Sequence, residues 1–169
     1  MEKIEFKDLP DTTTPLSASN LNTMQDNIED EFNKKELEYI IATINAPQTI
    51  ASETQVNLND VARSQGNFTL NNGKIIIGAG IHHVRASACM FVDNWAGGSY
   101  YLWALLQLNN HNASTSINGS PSSFLSSSIP TTIFSVTEGD EIRLVADSPS
   151  GGTLRRYAEA TWLCVEKID

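Results

Sequence analysis

The chain has little of what enzymes, disulfide scaffolds and nucleic-acid binders are usually read from. Its two cysteines, Cys89 and Cys164, are far apart and fall in no CxxC or zinc-type spacing, so neither a disulfide framework nor a zinc module is implied. They read as free thiols or as one long-range bridge. Charged residues make up only 18%, acidic residues outnumber basic ones 20 to 11, and lysine and arginine nowhere cluster. A net charge of -9 repels a phosphate backbone, which excludes nucleic acid as the expected partner. No apolar run approaches the length of a membrane span, so membrane insertion is not expected.

Catalytic motifs are missing as well. Gly78 and Gly80 precede no GK[ST] and no helix, so no phosphate cradle forms, and they read as a bend between strands. No serine sits in a GxSxG setting. The adjacent carboxylates Asp140 and Glu141 point to opposite sides at a strand start. His82 and His83 are adjacent on a strand, so their rings part to opposite faces and cannot grip one metal together. No metal, no cofactor and no enzymatic activity are expected.

What is present is β-sequence. Serine, threonine and asparagine fill much of the polar fraction beside 40% apolar residues, a balance that favours strands joined by uncharged loops. From residue 39 the apolar period is two: YIIATIN, TQVNLND, NFTL, KIIIGAG, IHHVRASACMFV, SYYLWALLQL, TTIFSV, DEIRLVAD and AEATWLCVEKI, with Asn72-Gly73 as a tight-turn signal. Eight or nine short strands without intervening helices predict an all-β antiparallel sandwich over residues 39–169.

Residues 1–38 differ. Ile4, Phe6 and Leu9 are spaced apolar residues, and Pro10 and Pro15 bar a helix across them, so an extended arm is expected. From Ser17, Leu21, Met24, Ile28 and Phe32 form one apolar stripe among polar residues, which predicts a short helix ending near Lys34 and Lys35. A helix of about 15 residues is marginal alone, so the stripe should dock, on its own domain or on a larger assembly. The first residues, MEKIEFKDLPDTTTP, carry no apolar signal-peptide core, and folding in a cytoplasm is expected.

Two strands are dry on both faces. In the last strand Thr161, Leu163 and Val165 alternate with Ala160, Trp162 and Cys164, and in residues 101–108 Leu102, Ala104, Leu106 and Leu108 alternate with Tyr101, Trp103 and Leu105. A sandwich needs only one dry face per sheet, so part of the second face should be covered. In the histidine strand, Val84, Ala86, Ala88 and Met90 form the core face, opposite His83, Arg85, Ser87 and Cys89.

The segments GNFTL, GAGIHHVRASACMF, TEGDEIRLVAD and ATWLCVEKI resemble, in order and spacing, the tumour necrosis factor-like jelly roll, the trimeric head also found in complement and short-chain collagens. Gly80, Gly139-Asp140 and Trp162 to Val165 stand at matching places, and His82 stands where that family usually has tyrosine. The stretch FKDLPDTTTPLSASNLNTMQDNIE is similar to the start of tail, baseplate and head-fibre proteins of phages of Gram-positive bacteria.

The first resemblance implies a homotrimer in which the histidine strand and the last strand are neighbours facing a threefold axis. Arg85, Ser87, Cys89, Trp162 and Cys164 would then lie at the subunit interface. The second implies a virion protein, assembled in the cytoplasm of a bacterial host and anchored to capsid, tail or baseplate proteins through Phe6, Leu9, Leu16, Leu21, Met24 and Ile28.

The leading functional reading is an attachment fibre whose head binds a host-surface carbohydrate. Its candidate loops are DNWAGGSY, with Asn94, Trp95 and Tyr100, and NNHNASTSINGSPSSFLSSS, with Asn110, His111 and Asn112. Aromatic rings with amides and hydroxyls suit a sugar's CH face and its fringe of OH groups. The alternatives are a capsid-decoration or baseplate protein without receptor binding, and a glycan hydrolase, which would need two carboxylates facing one groove.

Overall fold

The computed structural model describes residues 18–34, 37–93, 101–119, 124–149, 151–155 and 160–168. The chain divides into two units, Met1–Glu36 and Leu37–Asp169.

In the first unit the described element is one helix, α1 (Ala18–Lys34). Its stripe is open: Met24 is 54% and Ile28 56% exposed, and Leu21 is half-buried. Phe6, Leu9 and Leu16 lie outside the described residues.

The second unit begins with Glu38 tied down. Its carboxylate accepts from Lys167 Nζ at 2.8 Å and from the backbone N–H of Asn67 at 2.8 Å. Thirteen strands follow among the described residues: β1 (Tyr39–Thr43), β2 (Gln48–Ile50), β3 (Thr54–Gln55), β4 (Asp60–Gln65), β5 (Phe68–Asn71), β6 (Lys74–Ile77), β7 (His83–Asp93), β8 (Tyr101–Leu108), β9 (His111–Gly119), β10 (Phe124–Ser135), β11 (Glu141–Asp147), β12 (Gly152–Leu154) and β13 (Trp162–Lys167). All their pairings are antiparallel.

They form two sheets. In the first, β10 lies along the whole of β7, so β13 and β12 share the other edge of β7, and β1 and β4 continue beyond β13. In the second the order is β5-β6-β11-β8-β9, with β3 beside β11. The core lies between them: Val84, Ala86, Ala88, Met90 and Val92 of β7 with Leu163 and Val165 of β13 face Leu102, Ala104 and Leu106 of β8 and Ile142 and Leu144 of β11, all buried. Alternation along a pleated strand delivers these residues to one side, as the sequence predicts.

Three turns show why the strands stop where they do. Asn72 and Gly73 both have positive φ (49° and 76°), the mirror-image geometry whose twist suits a two-residue hairpin between β5 and β6. Asn109 and Asn110 repeat it (φ 50° and 68°) between β8 and β9. At Gly78 a side chain would collide with the carbonyl of Asn67, so the bend needs glycine.

Several expectations are corrected. TQVNLND is mostly not strand: only Thr54–Gln55 pairs, while Val56 and Leu58 plug the core from an irregular segment. Residues 60–65 form a strand, β4, that no apolar alternation announces, since every residue in it is exposed. The segment from Asn109 to Ser128, expected as a loop, holds on its described residues the Asn109–Asn110 turn, β9 and the first part of β10. Its serines, threonines and asparagines carry no alternation to read, and the ladder with β8 supplies the order. TTIFSV is only the end of β10, whose register breaks between Ile129 and Thr132, around Pro130. That strand pairs on its described length with β7 alone, and a proline fits such an edge and bulge.

Candidate functional site

Strand registers map the outward face of the β7 sheet row by row. Cys89 stands opposite Ser128 on one side and Trp162 on the other, and Trp162 stands opposite Thr43. In the next row Ser87, Cys164, Ile41 and Arg63 follow one another across β7, β13, β1 and β4. A third row runs Ile133, Arg85, Glu166, Tyr39. Thus the predicted residues Arg85, Ser87, Cys89, Trp162 and Cys164 share one patch on one face of the sheet.

The patch is mostly apolar. Phe91 and Phe124 stack at 6.3 Å beyond Cys89, and Phe124 and Ile133 are 58% and 65% exposed. A cleft of about 600 Å³ opens beside Trp162, Cys164 and Ile41. One ion pair crosses the patch: Arg85 Nε donates to the Glu166 carboxylate, which holds the guanidinium pKa up. Burial pushes the Cys164 thiol up, with Glu166 adding to it and Arg85 opposing. Cys89 and Cys164 both lie on the patch, and no disulfide joins them. His82 and His83 are exposed, and their carbonyls accept from Val136 and Ile168, so their backbone stitches neighbouring segments to the start of β7. Among the described residues no group of three or more His, Cys, Asp or Glu is placed to hold a metal ion.

The outward face of the other sheet is different in kind. Gln55, Val145, Leu105 and Thr115 form one row, and Arg143, Gln107 and Asn112 the next. Leu105 and Val145, outward on their strands, are each only 4% exposed, because polar side chains close over them. A cleft of about 500 Å³ lies here, floored by these two and rimmed by Glu53, Gln55, Gln107, Asn110, His111, Asn112 and Arg143.

A hydrogen-bond chain orders the rim. Asn112 Oδ1 accepts from Gln107 Nε2 at 2.7 Å, Gln107 Oε1 from Arg143 Nε at 2.7 Å, and Gln55 Oε1 from Arg143 Nη1 at 3.3 Å. Gln55 Nε2 donates onward to the Asn72 carbonyl at 2.8 Å. A register shift between Leu106 and Gln107 makes this possible: Leu106 faces Ser114 and Gln107 faces Asn112, leaving Ala113 as the extra residue.

Beyond the cleft along β8, Trp103 lies between Asp147 and Ile117, with Tyr101 next on the same face. The Tyr101 and Trp103 rings are 5.6 Å apart, and Trp103 is 37% exposed and Ile117 60%. Asp147 Oδ1 accepts from Ser52 Oγ at 3.0 Å and from the Glu53 N–H at 3.3 Å.

Of the predicted ligand residues, Asn110, His111 and Asn112 meet on the rim of this second cleft, and Asn94, Trp95 and Tyr100 lie outside the described residues. Gln55, Gln107 and Arg143 were not singled out from the sequence. The available signal was the alternation of DEIRLVAD, which puts Arg143 on the outward face beside Val145.

With this geometry in place, known structures can be compared. Murine APRIL at pH 5.0 superposes with a TM-score of 0.65 at 11% identity, covering 79% of this chain and 100% of that one. Eiger TNF from S. frugiperda gives 0.63 at 9% identity, covering 79% and 92%. The second unit has a tumour necrosis factor-like jelly-roll fold. The globular domain of zebrafish complement 1qA shares the same TNF-like fold, with a TM-score of 0.53 at 11% identity over 78% of this chain and 95% of that one. No family model matches the sequence, and no curated protein matches it. At such identities the likeness extends to the TNF-like fold alone.

Proposed function

We propose that this chain is a non-enzymatic phage virion protein, an attachment fibre whose jelly-roll head assembles as a homotrimer. The apolar outward face of the β7 sheet carries this reading. Trp162, Cys89, Cys164, Ile41, Phe124 and Ile133 gather on a side that a single sandwich has no need to keep dry. Copies related by a threefold axis close such a face without leaving a growing end. The trimeric arrangement implied by the sequence resemblance places this same sheet toward the axis.

The amino-terminal resemblance supplies the setting. Residues 1–36 anchor the head to capsid, tail or baseplate proteins, with the exposed Met24 and Ile28 of α1 as part of the docking stripe. The head is left to project from the virion and meet a host-surface glycan. Three weak sites per trimer, repeated over a particle, hold a cell through avidity.

Light scattering on the full chain is expected to report three copies at micromolar concentration; a stable monomer overturns the assembly. Purified protein incubated with host cell walls is expected to sediment with them. Failure to sediment, with the trimer intact, favours the capsid-decoration or baseplate reading, and hydrolysis of purified wall polysaccharide favours the hydrolase.

A further inference from the structure

We infer that the outward face of the second sheet, from Tyr101 to Asn112, is a binding surface for an acidic polysaccharide, with Arg143 reading the acid group. This rests on the attachment role proposed above and names its ligand class.

Arg143 carries the argument. The described ion pairs occupy Lys74, Arg85, Arg155 and Lys167 with carboxylates, whereas the described hydrogen bonds of Arg143 go to two amide oxygens. Amide oxygens orient a guanidinium without neutralising it. Nε and one N–H of Nη1 are used, so the remaining donors on the two terminal nitrogens stay available, in the planar fork that fits a carboxylate or phosphate bidentately. The chain from Asn112 through Gln107 to Gln55 holds that fork in place before any ligand arrives, which removes an ordering cost from binding.

The surroundings suit a sugar rather than a peptide or a lone anion. Four amides, Gln55, Gln107, Asn110 and Asn112, stand over the buried Leu105 and Val145, and they both donate to and accept from hydroxyls. Glu53 and Asp147 accept from hydroxyl donors, and their charge disfavours an acid group of the ligand anywhere but at Arg143. The Tyr101–Trp103 pair then presents aromatic surface to the CH face of a pyranose. From Tyr101 to Gln107 the strand runs about 20 Å, longer than one sugar ring, so the surface fits a chain of residues. Since the protein is acidic as a whole, attraction for such a chain is local to Arg143 and not a property of the net field.

Affinity electrophoresis of the full protein through gels containing polygalacturonate, a phosphomannan, methyl-esterified polygalacturonate, dextran or polyglutamate tests this. Retardation by polygalacturonate or the phosphomannan is expected, and which of the two acts distinguishes a carboxylate from a phosphate ligand. Arg143→Gln should weaken it about tenfold or more, and Arg143→Lys, which keeps the charge and loses the fork, should fall between. Trp103→Ala should weaken it with Arg143 intact. Thermal melts of each variant separate lost binding from lost folding.

Retardation by neither acidic glycan, equal retardation by the neutral ones, preference for polyglutamate, or insensitivity of a folded Arg143→Gln protein overturns the inference. The attachment reading is judged separately: a chain that is trimeric and sediments with host walls while failing the gel test keeps that role and loses this site.

Discussion

Trp162 of β13 stands directly opposite Cys89 of β7, on the side of the sheet that faces away from the core. Cys164, two residues on, stands opposite Ser87 and is thereby diagonal to Cys89, so an indole and two thiols meet on adjacent strands. Burial in the isolated head is only partial at all three positions. These three side chains thus have the character of an interior without being enclosed by the described residues around them.

Trp162→Glu is expected to dissociate the proposed trimer. A carboxylate without a partner in a closed interface costs several kcal/mol, comparable to what a strong subunit contact supplies. Light scattering should show monomer while circular dichroism keeps its β signature. Persistence of the trimer means that Trp162 lies outside the contact.

Cys164 should resist alkylation. Its pKa is raised, mainly by burial and then by Glu166, so the thiol stays protonated to a higher pH than an ordinary cysteine. Iodoacetamide labelling against pH, read by mass spectrometry, should place its midpoint above that of a model peptide. By linkage, its contribution to stability is present below the ordinary thiol value and is lost as pH rises through the raised one. A midpoint at or below that of the peptide contradicts the environment described.

Asp140 ties a turn. Its carboxylate accepts from Asn109 Nδ2 at 2.8 Å and from the Thr137 N–H at 2.8 Å, and these bonds hold its pKa below the usual carboxylate range, with the Asn109 bond leading. Its contribution is present above the unfolded carboxylate value and disappears as pH falls through the lowered one. Asp140→Ala should cost about 1 kcal/mol at neutral pH, discounted for solvent screening. Urea titrations should show the two proteins converging in acid.

Ile142→Ala removes a fully buried side chain of β11, which lies between the ladders of β6 and β8. The loss should be about 2–5 kcal/mol in chemical denaturation, since a close-packed site collapses only partly around a cavity.

Deleting residues 1–36 should leave a folded head with an unchanged thermal midpoint, because Glu38 keeps its bonds to Lys167 and Asn67. A lower midpoint would make the amino-terminal unit part of the head's stability.

Much of the fold is legible wherever one side of a strand is buried. In β7 and β13 the buried and outward residues alternate as the apolar pattern predicts, and Asn72-Gly73 makes its hairpin. Legibility fails at β4 and β9, where polar residues occupy both sides and hydrogen bonds to a neighbouring strand do what apolar alternation does elsewhere. For the cleft, Asn110, His111 and Asn112 stand out by residue type alone, but Arg143 and Gln55 do not. They are 33 and 55 positions away from Asn110 along the chain, and nothing local in their segments points toward it.

By itself, the sequence determined that this is a β-sandwich head behind a short helix, and which side of each amphipathic strand is the core, because period-two burial is a property of neighbouring residues along one strand. Only the tertiary structure decided which strands lie side by side. That choice sets Trp162 beside Cys89 and joins Asn112, Gln107, Arg143 and Gln55 into one chain of hydrogen bonds. Where a tight turn joins two strands, as between β8 and β9, register is local, but between β7 and β13 or β11 and β3 it is fixed by packing between distant segments.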